Sequence, residues 1–397
     1  MKVAGHIINE AMCDYIERHA SDDTVKLLLK RDSNVSFDKA FAVTQIECRQ
    51  KSKSKIPEVL EHRHFLFPKP INAEQCTHEQ VAKFHASLFS PSDSVLDMTM
   101  GLGIDSYYIA QRVHALVAIE CDEEVAAIGQ YNFSLLNPKV EVLHGDSTEW
   151  LKASTRHFDT IFIDPARRSD AGRRLYGLAD CRPNVLSLLP LAQQRAQRLI
   201  IKASPMLDLT QSVKALGHSV SDVYAISVKN DCKELLFCLD FCMPPEHVAL
   251  HAINFDSTLQ AFDISHPATS RPPAPLTQPA FIYEPNASIM KIGCFDALAA
   301  ATGATQLAQN SHLYVSDTLL EGFPGRRFKI KQMIPFKDKE IKTWSKQFKQ
   351  LNIATRNFRL SPEALKKRLG VQDGGSDYLF ATTLADSTPV LFLCAKV

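Results

Sequence analysis

Residues 95–106 read VLDMTMGLGIDS: a short apolar run ends in Asp97, and Thr99, Gly101, Gly103, Asp105 and Ser106 follow. Glycines let the main chain approach a ligand closely. The carboxylates decide which ligand, because acids repel a phosphate and attract a cation. A second apolar run ends in Glu120-Cys121-Asp122, where an acid can accept both hydroxyls of a ribose. A third leads into HGDSTEW, residues 144–150. There Asp146, with Ser147 behind it, can accept the exocyclic amine of an adenine, or simply cap a helix. A fourth, FDTIFIDPARRSD at 158–170, runs into Asp164-Pro165 and then Arg167 and Arg168. The carboxylate and the proline carbonyl are acceptors, and a guanidinium reaches phosphate or stacks on a base. A fifth ends in KASP, 202–205, placing Lys202 and Ser204.

A dinucleotide loop shares part of this logic, with a glycine-rich turn that seats a pyrophosphate on a helix N-terminus. It requires a third glycine, and Ser106 stands in that place. An acidic loop suits S-adenosylmethionine instead, whose sulfonium and ammonium are both cationic. Asp97, Thr99, Gly101, Gly103 and Asp105 are then expected at its methionine end, Glu120 and Cys121 at the ribose, and Asp146 and Ser147 at the adenine. An NAD-dependent dehydrogenase and a ligand-free glycine turn stay open at this point.

Parallel strands must hold such loops in series. Val95-Leu96, Ala115 to Ile119, Val140 to Leu143 with Glu141 inside it, Thr160 to Ile163 and Leu199 to Ile201 are short and predominantly apolar, as strands buried on both faces are. Segments of crossover-helix length lie between them. Val223 to Val228 and Glu234 to Phe241 flank the polar turn Lys229 to Lys233, an antiparallel pair closing the sheet. Residues 1–70 carry helical spacing, with Asp22-Asp23 as a cap. Thr77 is expected to cap a helix running to Phe89.

On the strand-four signature, residues ~75–245 resemble the class I S-adenosylmethionine-dependent methyltransferases. Their N-methylating members carry [Asp/Asn]-Pro-Pro-aromatic there. By that resemblance Asp164 and Pro165 orient a substrate amine. Ala166 and Arg167 depart from the pattern, which leaves Arg167, Arg168 and Lys202 as expected substrate contacts.

The net charge is +1, so the chain as a whole is no polycation. Residues 325–370 are the exception: they hold fourteen Lys and Arg against three Asp and Glu, with Phe328, Phe336, Trp344, Phe348 and Phe358 interleaved. A local charge of +11 is the footprint of a polyanion, although Trp344 and Phe348 also fit a helix's buried face. Six prolines between 264 and 285 mark a boundary. NIATRNFRLSPEALKKRLGVQDGGSDYLFATT, residues 352–383, resembles the THUMP-like domain at the C-terminus of a family of bacterial methyltransferases. FIYEPNASIMKIG, from 281, resembles their ferredoxin-like module. That resemblance implies RNA, tRNA or rRNA, as substrate.

The expectation is an α/β protein with a Rossmann-like class I methyltransferase sheet at 71–250 behind a helical N-terminal region, 1–70. A Pro-rich linker at 251–279, a ferredoxin-like module at 280–322 and a THUMP-like domain at 323–397 follow. Ten cysteines without a CxxC pair read as thiols packed in a reducing cytoplasm, with no metal. No apolar run reaches the ~18 residues of a membrane span. Methylation of a protein or small molecule, and RNA binding without catalysis, are the alternative functions.

Overall fold

The computed structural model describes residues 1–30, 35–167, 177–264 and 279–397, without the side chains of Arg167, residues 338–340 and Lys342. The chain divides into two compact units, Met1–Val223 with Leu235–Glu246, and Tyr224–Glu234 with His247–Val397.

The first unit is built on strands β1 (Ser94–Asp97), β2 (Ala115–Glu120), β3 (Val140–His144), β4 (Phe158–Ile163) and β5 (Ala196–Ala203). These are parallel, in the order β5-β4-β1-β2-β3. Strand β6 (Val220–Val228) leads into β7 (Asp231–Asp240), which pairs antiparallel with β5. The expected five-residue turn narrows to Lys229-Asn230, both at positive φ, so β7 starts earlier than its apolar run. Strand order reverses between β1 and β4, and α/β sheets bind ligands at the carboxyl ends of strands beside such a reversal.

The N-terminal segment folds as α1 (Glu10–Arg18), α2 (Thr24–Leu29) and α3 (Lys39–Ser52), preceded by a two-residue strand pair, Lys2–Val3 with His6–Ile7. Met12, Ile16, Phe41 and Ile46 pack with Ile128 and Tyr131 of the sheet helix Glu123–Leu136. Two buried amides fix the entry to the sheet. Gln45 bonds both main-chain groups of Phe67, and Asn132 both of Leu66, at 2.8–2.9 Å. An extended segment with no strand partner thereby keeps its buried polar groups satisfied.

In the second unit, Ala249–Phe255 and Leu259–Ile264 pair as an antiparallel hairpin. This corrects the expected linker, whose first residues are strand. The prolines from 267 to 275 lie outside the described residues. A seven-stranded sheet follows, built from Phe281–Pro285, Thr305–Gln306, Tyr314–Ser316, Gly325–Pro335, Asn352–Arg356, Asp377–Thr383 and Pro389–Lys396. Only Asn352–Arg356 with Asp377–Thr383 is parallel. Helix Pro362–Leu369 begins at Ser361, whose hydroxyl accepts from Ala364 N. The helix expected over Asp338 to Leu351 stops at Ser345.

Candidate active site

Asp97 and Glu120 close their strands, and Asp146 and Asp164 follow just beyond theirs. Asp97 closes β1 and is 1% exposed. Its Oδ1 accepts from Thr99 N at 2.9 Å, and Oδ2 accepts from the Ser106 hydroxyl. Burial pushes its carboxyl up to about 7; the two donors oppose this, while the nearby charges of Asp105 and Asp164 add to it. Thr99 ties two loops together, because its hydroxyl accepts from Asp164 N at 2.7 Å.

Gly101 and Gly103 both have positive φ, +56° and +83°. At Gly103 a β-carbon would also lie 2.8 Å from the Phe133 ring. Gly101 N donates to Glu120 Oε2 at 2.9 Å, and Glu120 Oε1 accepts from Asp122 N at 2.9 Å. A carboxylate thus already occupies a main-chain N–H of the glycine loop, which is the group a pyrophosphate would need. The exposed Cys121 rests its thiol on Glu120. Asp146 caps the helix Ser147–Ala153 through Oδ1 alone, accepting from Thr148 N and Glu149 N. Ser147 is buried in the first turn.

Beyond β4, Asp164 has a 43% exposed side chain and Pro165 is buried. Lys202, near the end of β5 with its side chain 10% exposed, donates to Asp164 Oδ2 at 2.8 Å. The same ammonium donates to Thr77 Oγ1 at 2.7 Å and lies 3.5 Å from Asp105 Oδ2. Asp105 in turn accepts from Thr77 Oγ1 at 2.5 Å and pairs with the fully buried His85 at 2.8 Å. Burial works against the Asp105 charge, but Lys202, His85 and Thr77 outweigh it and hold the carboxyl below its ordinary range.

Asp105, expected at the methionine end, has its carboxylate against Lys202 and His85. One expectation is corrected here. Thr77 does not cap its helix: His78 does, accepting from Gln80 N, and Thr77 joins the Lys202 cluster. Thr77 and His85 are the site residues sequence reading missed. Arg167 enters a short pairing with Cys181, but its side chain, and all of Arg168, lie outside the described residues.

In the second unit the basic segment is real surface, but its aromatics are not. Phe328, Phe336 and Trp344 are core, and Phe348 and Phe358 pack on it. Arg326 and Arg356 clamp the buried Glu284. Lys329, Lys346, Lys349 and Lys367 are exposed and form no ion pair with the described residues. Lys346, Lys367, Arg368 and Phe348 line a groove of about 440 Å³.

Parallel order, a reversal beside the glycine loop and acids at three successive strand ends define an S-adenosylmethionine-dependent methyltransferase of Rossmann-like fold. The donor set fits that cofactor, since it offers carboxylates to a cation while Glu120 occupies the Gly101 N–H that a pyrophosphate would need. Residues 72–170 match the family described as ribosomal RNA adenine dimethylase, 281–324 a ferredoxin-like domain and 325–396 a THUMP domain-like family. The crystal structure of a candidate methyltransferase from Porphyromonas gingivalis W83 is 31% identical, covering 98% of this chain and 100% of that one, with a TM-score of 0.83. The chain belongs to the methyltransferase family that protein represents. An uncharacterised RNA methyltransferase of Mycoplasma mobile is 28% identical over 92 residues, 23% of this chain. The chain spans about a quarter of that curated relative's length, 24%. No described helix is long and apolar enough to cross a membrane.

Proposed function

We propose that this enzyme methylates a nitrogen of a base in RNA, tRNA or rRNA, and that the THUMP-like domain docks the RNA. The carrying observation is Asp164-Pro165 at the end of β4, beside the strand reversal and tied by Asp164 N to the Thr99 hydroxyl of the glycine loop. Bound there, S-adenosylmethionine supplies an electrophilic methyl group. Asp97, Thr99, Gly101 and Gly103 hold its methionine end, Glu120 and Cys121 face the ribose, and Asp146 and Ser147 face the adenine. The Oδ2 of Asp146, left over from capping, is the acceptor for the adenine amine. Asp164 and the Pro165 carbonyl offer acceptors to the substrate nitrogen, which fixes its distance and direction for in-line attack. Arg167, Arg168 and Lys202 contact the substrate.

RNA is supported by the +11 segment, the exposed lysines and the groove at Lys346 and Lys367. The Mycoplasma mobile relative, an RNA methyltransferase, points the same way. The test uses RNA from cells lacking the gene, incubated with labelled cofactor and the wild-type or Asp164→Ala protein. Label in RNA with wild type and its loss with the variant is the expected result. Equal label from both removes Asp164 from the reaction, and label only in protein or small molecules refutes RNA as the substrate.

A further inference from the structure

Asp164 and Lys202 stand at the ends of two neighbouring parallel strands and meet at 2.8 Å. They form an acceptor and a donor side by side, one exposed and one nearly buried. The cluster beneath keeps them so. Thr77 accepts from Lys202, Asp105 sits 3.5 Å behind, and His85 pins Asp105. Among the described residues, Cys76 and Asp97 are further titratable groups that feel this cluster.

An exocyclic amine has no use for that arrangement. Its two N–H groups require acceptors, which an aspartate and a proline carbonyl supply. An ammonium fixed beside them withdraws electron density from the ring and weakens the amine as a nucleophile. A lactam has the opposite needs. Its N–H nitrogen becomes nucleophilic as it loses its proton, and the resulting negative charge resides largely on the adjacent carbonyl oxygen. The site must then offer a base to the N–H and a cation to the C=O, next to one another.

We propose that Asp164 and Lys202 are that couple, and that the methyl-accepting atom is a lactam nitrogen: N1 of guanine beside O6, or N3 of uracil beside O4. The assignment rests on the reading of this site as an RNA base N-methyltransferase. The carboxylate of Asp164 takes the ring N–H proton, and the carbonyl oxygen gains the charge that Asp164 gives up. Lys202 swings its hydrogen bond from the one to the other, so a single ammonium balances both states. The ring nitrogen forms its bond to the methyl carbon as the methyl–sulfur bond of S-adenosylmethionine breaks, leaving the neutral thioether. The proton leaves Asp164 for water.

The test is the identity of the labelled nucleoside made by the full-length wild-type protein on RNA from cells lacking the gene. N1-methylguanosine or N3-methyluridine is expected, and which of the two appears names the base. N6-methyladenosine, N2-methylguanosine, N4-methylcytidine or N1-methyladenosine overturns the lactam assignment while the RNA-methylating reading stands. No labelled nucleoside, with calorimetry showing cofactor bound, refutes the RNA reading itself. Lys202→Met supplies a second readout that does not depend on product identity. Its kcat is expected to fall about a hundredfold at neutral pH, the scale of one lost transition-state donor. Cofactor affinity is expected to be unchanged. Its deficit relative to wild type should shrink by about tenfold per pH unit toward alkali, as hydroxide ionises the lactam without help. A deficit constant across pH assigns Lys202 to the scaffold and overturns its proposed role.

Discussion

With Asp97 at the cofactor's cationic end, as proposed, cofactor binding is expected to depend on pH below neutrality. Its carboxyl lies buried at the end of β1 and titrates near 7 rather than 3.8. A cation seated against it selects the ionised form, so binding below pH 7 must first expel a proton. The apparent affinity then falls by about tenfold per pH unit, reaching roughly fifty-fold weaker at pH 5 than at pH 7. The amino group of the ligand remains protonated throughout that range. Isothermal calorimetry checks this in buffers of different ionisation heat, where close to one proton should be released per cofactor bound at pH 5. Asp97→Asn should bind about a hundredfold more weakly at pH 7, through the loss of a charge-assisted bond, and show no such slope. The unliganded protein gives the converse signature. Between pH 3.8 and about 7 the native state holds a proton that the unfolded chain has lost, so stability falls as pH rises. A rise of about three units is worth on the order of 4 kcal/mol. Asp97→Asn should therefore melt higher than wild type at pH 8 while losing its ligand. A flat affinity from pH 5 to 7, with heats independent of buffer, refutes a cation-binding role for Asp97.

Asp105 behaves with the opposite sign. Its carboxyl is held below the usual range, so its stabilisation is full above the unfolded value near 3.8 and is lost as pH falls beneath it. His85→Ala, which removes its buried partner, should lower stability by about 1–3 kcal/mol in urea titrations and flatten the acid limb. Gly103→Ala should be far more damaging than Gly101→Ala. Both require positive φ, at about 1–2 kcal/mol, but only at Gly103 does a β-carbon strike Phe133, and melting temperatures would separate them. RNA affinity should fall steeply with salt. The double variant Lys346→Glu, Lys367→Glu should reduce the slope of log K against log salt by about two, and an unchanged slope would remove this groove from the interface.

The sheet was legible because its central strands are buried on both faces and so read as apolar runs. Leu116 to Ile119 and Leu199 to Ile201 required only that pattern, whereas the edge strand at Val140 to Leu143 turns the charged Glu141 outward. The acids were legible because each closes such a run, and a strand that stops in charge is presenting it at a sheet edge. What failed was local reasoning applied to polar residues with distant partners. Thr77 stands where a capping residue belongs, yet its hydroxyl serves Lys202, 125 residues away. Asp105 sits in the first turn of a helix, where acids favour the dipole, and nothing in its neighbourhood signals that His85 and Lys202 claim it. The hairpin at Ala249–Phe255 and Leu259–Ile264 was hidden for another reason. Its second strand alternates exposed and half-buried residues and lacks the apolar run that marked the others.

The basic segment shows how far charge alone carries an assignment. Interleaved aromatics beside lysines read equally well as a stacking platform or as a core edged with charge. Burial of Phe328, Phe336 and Trp344 selects the core, so the unit exposes lysines and main chain, rather than these rings, to any polyanion it meets. Such a surface holds phosphate and cannot itself discriminate bases. On the proposed function, discrimination arises where acceptor and donor meet, at Asp164 and Lys202. The proposal then gives one unit an affinity that salt should weaken and the other a choice of atom that salt should leave intact. If raising the salt changed which nucleoside is methylated, rather than only how fast, that division of labour would fail.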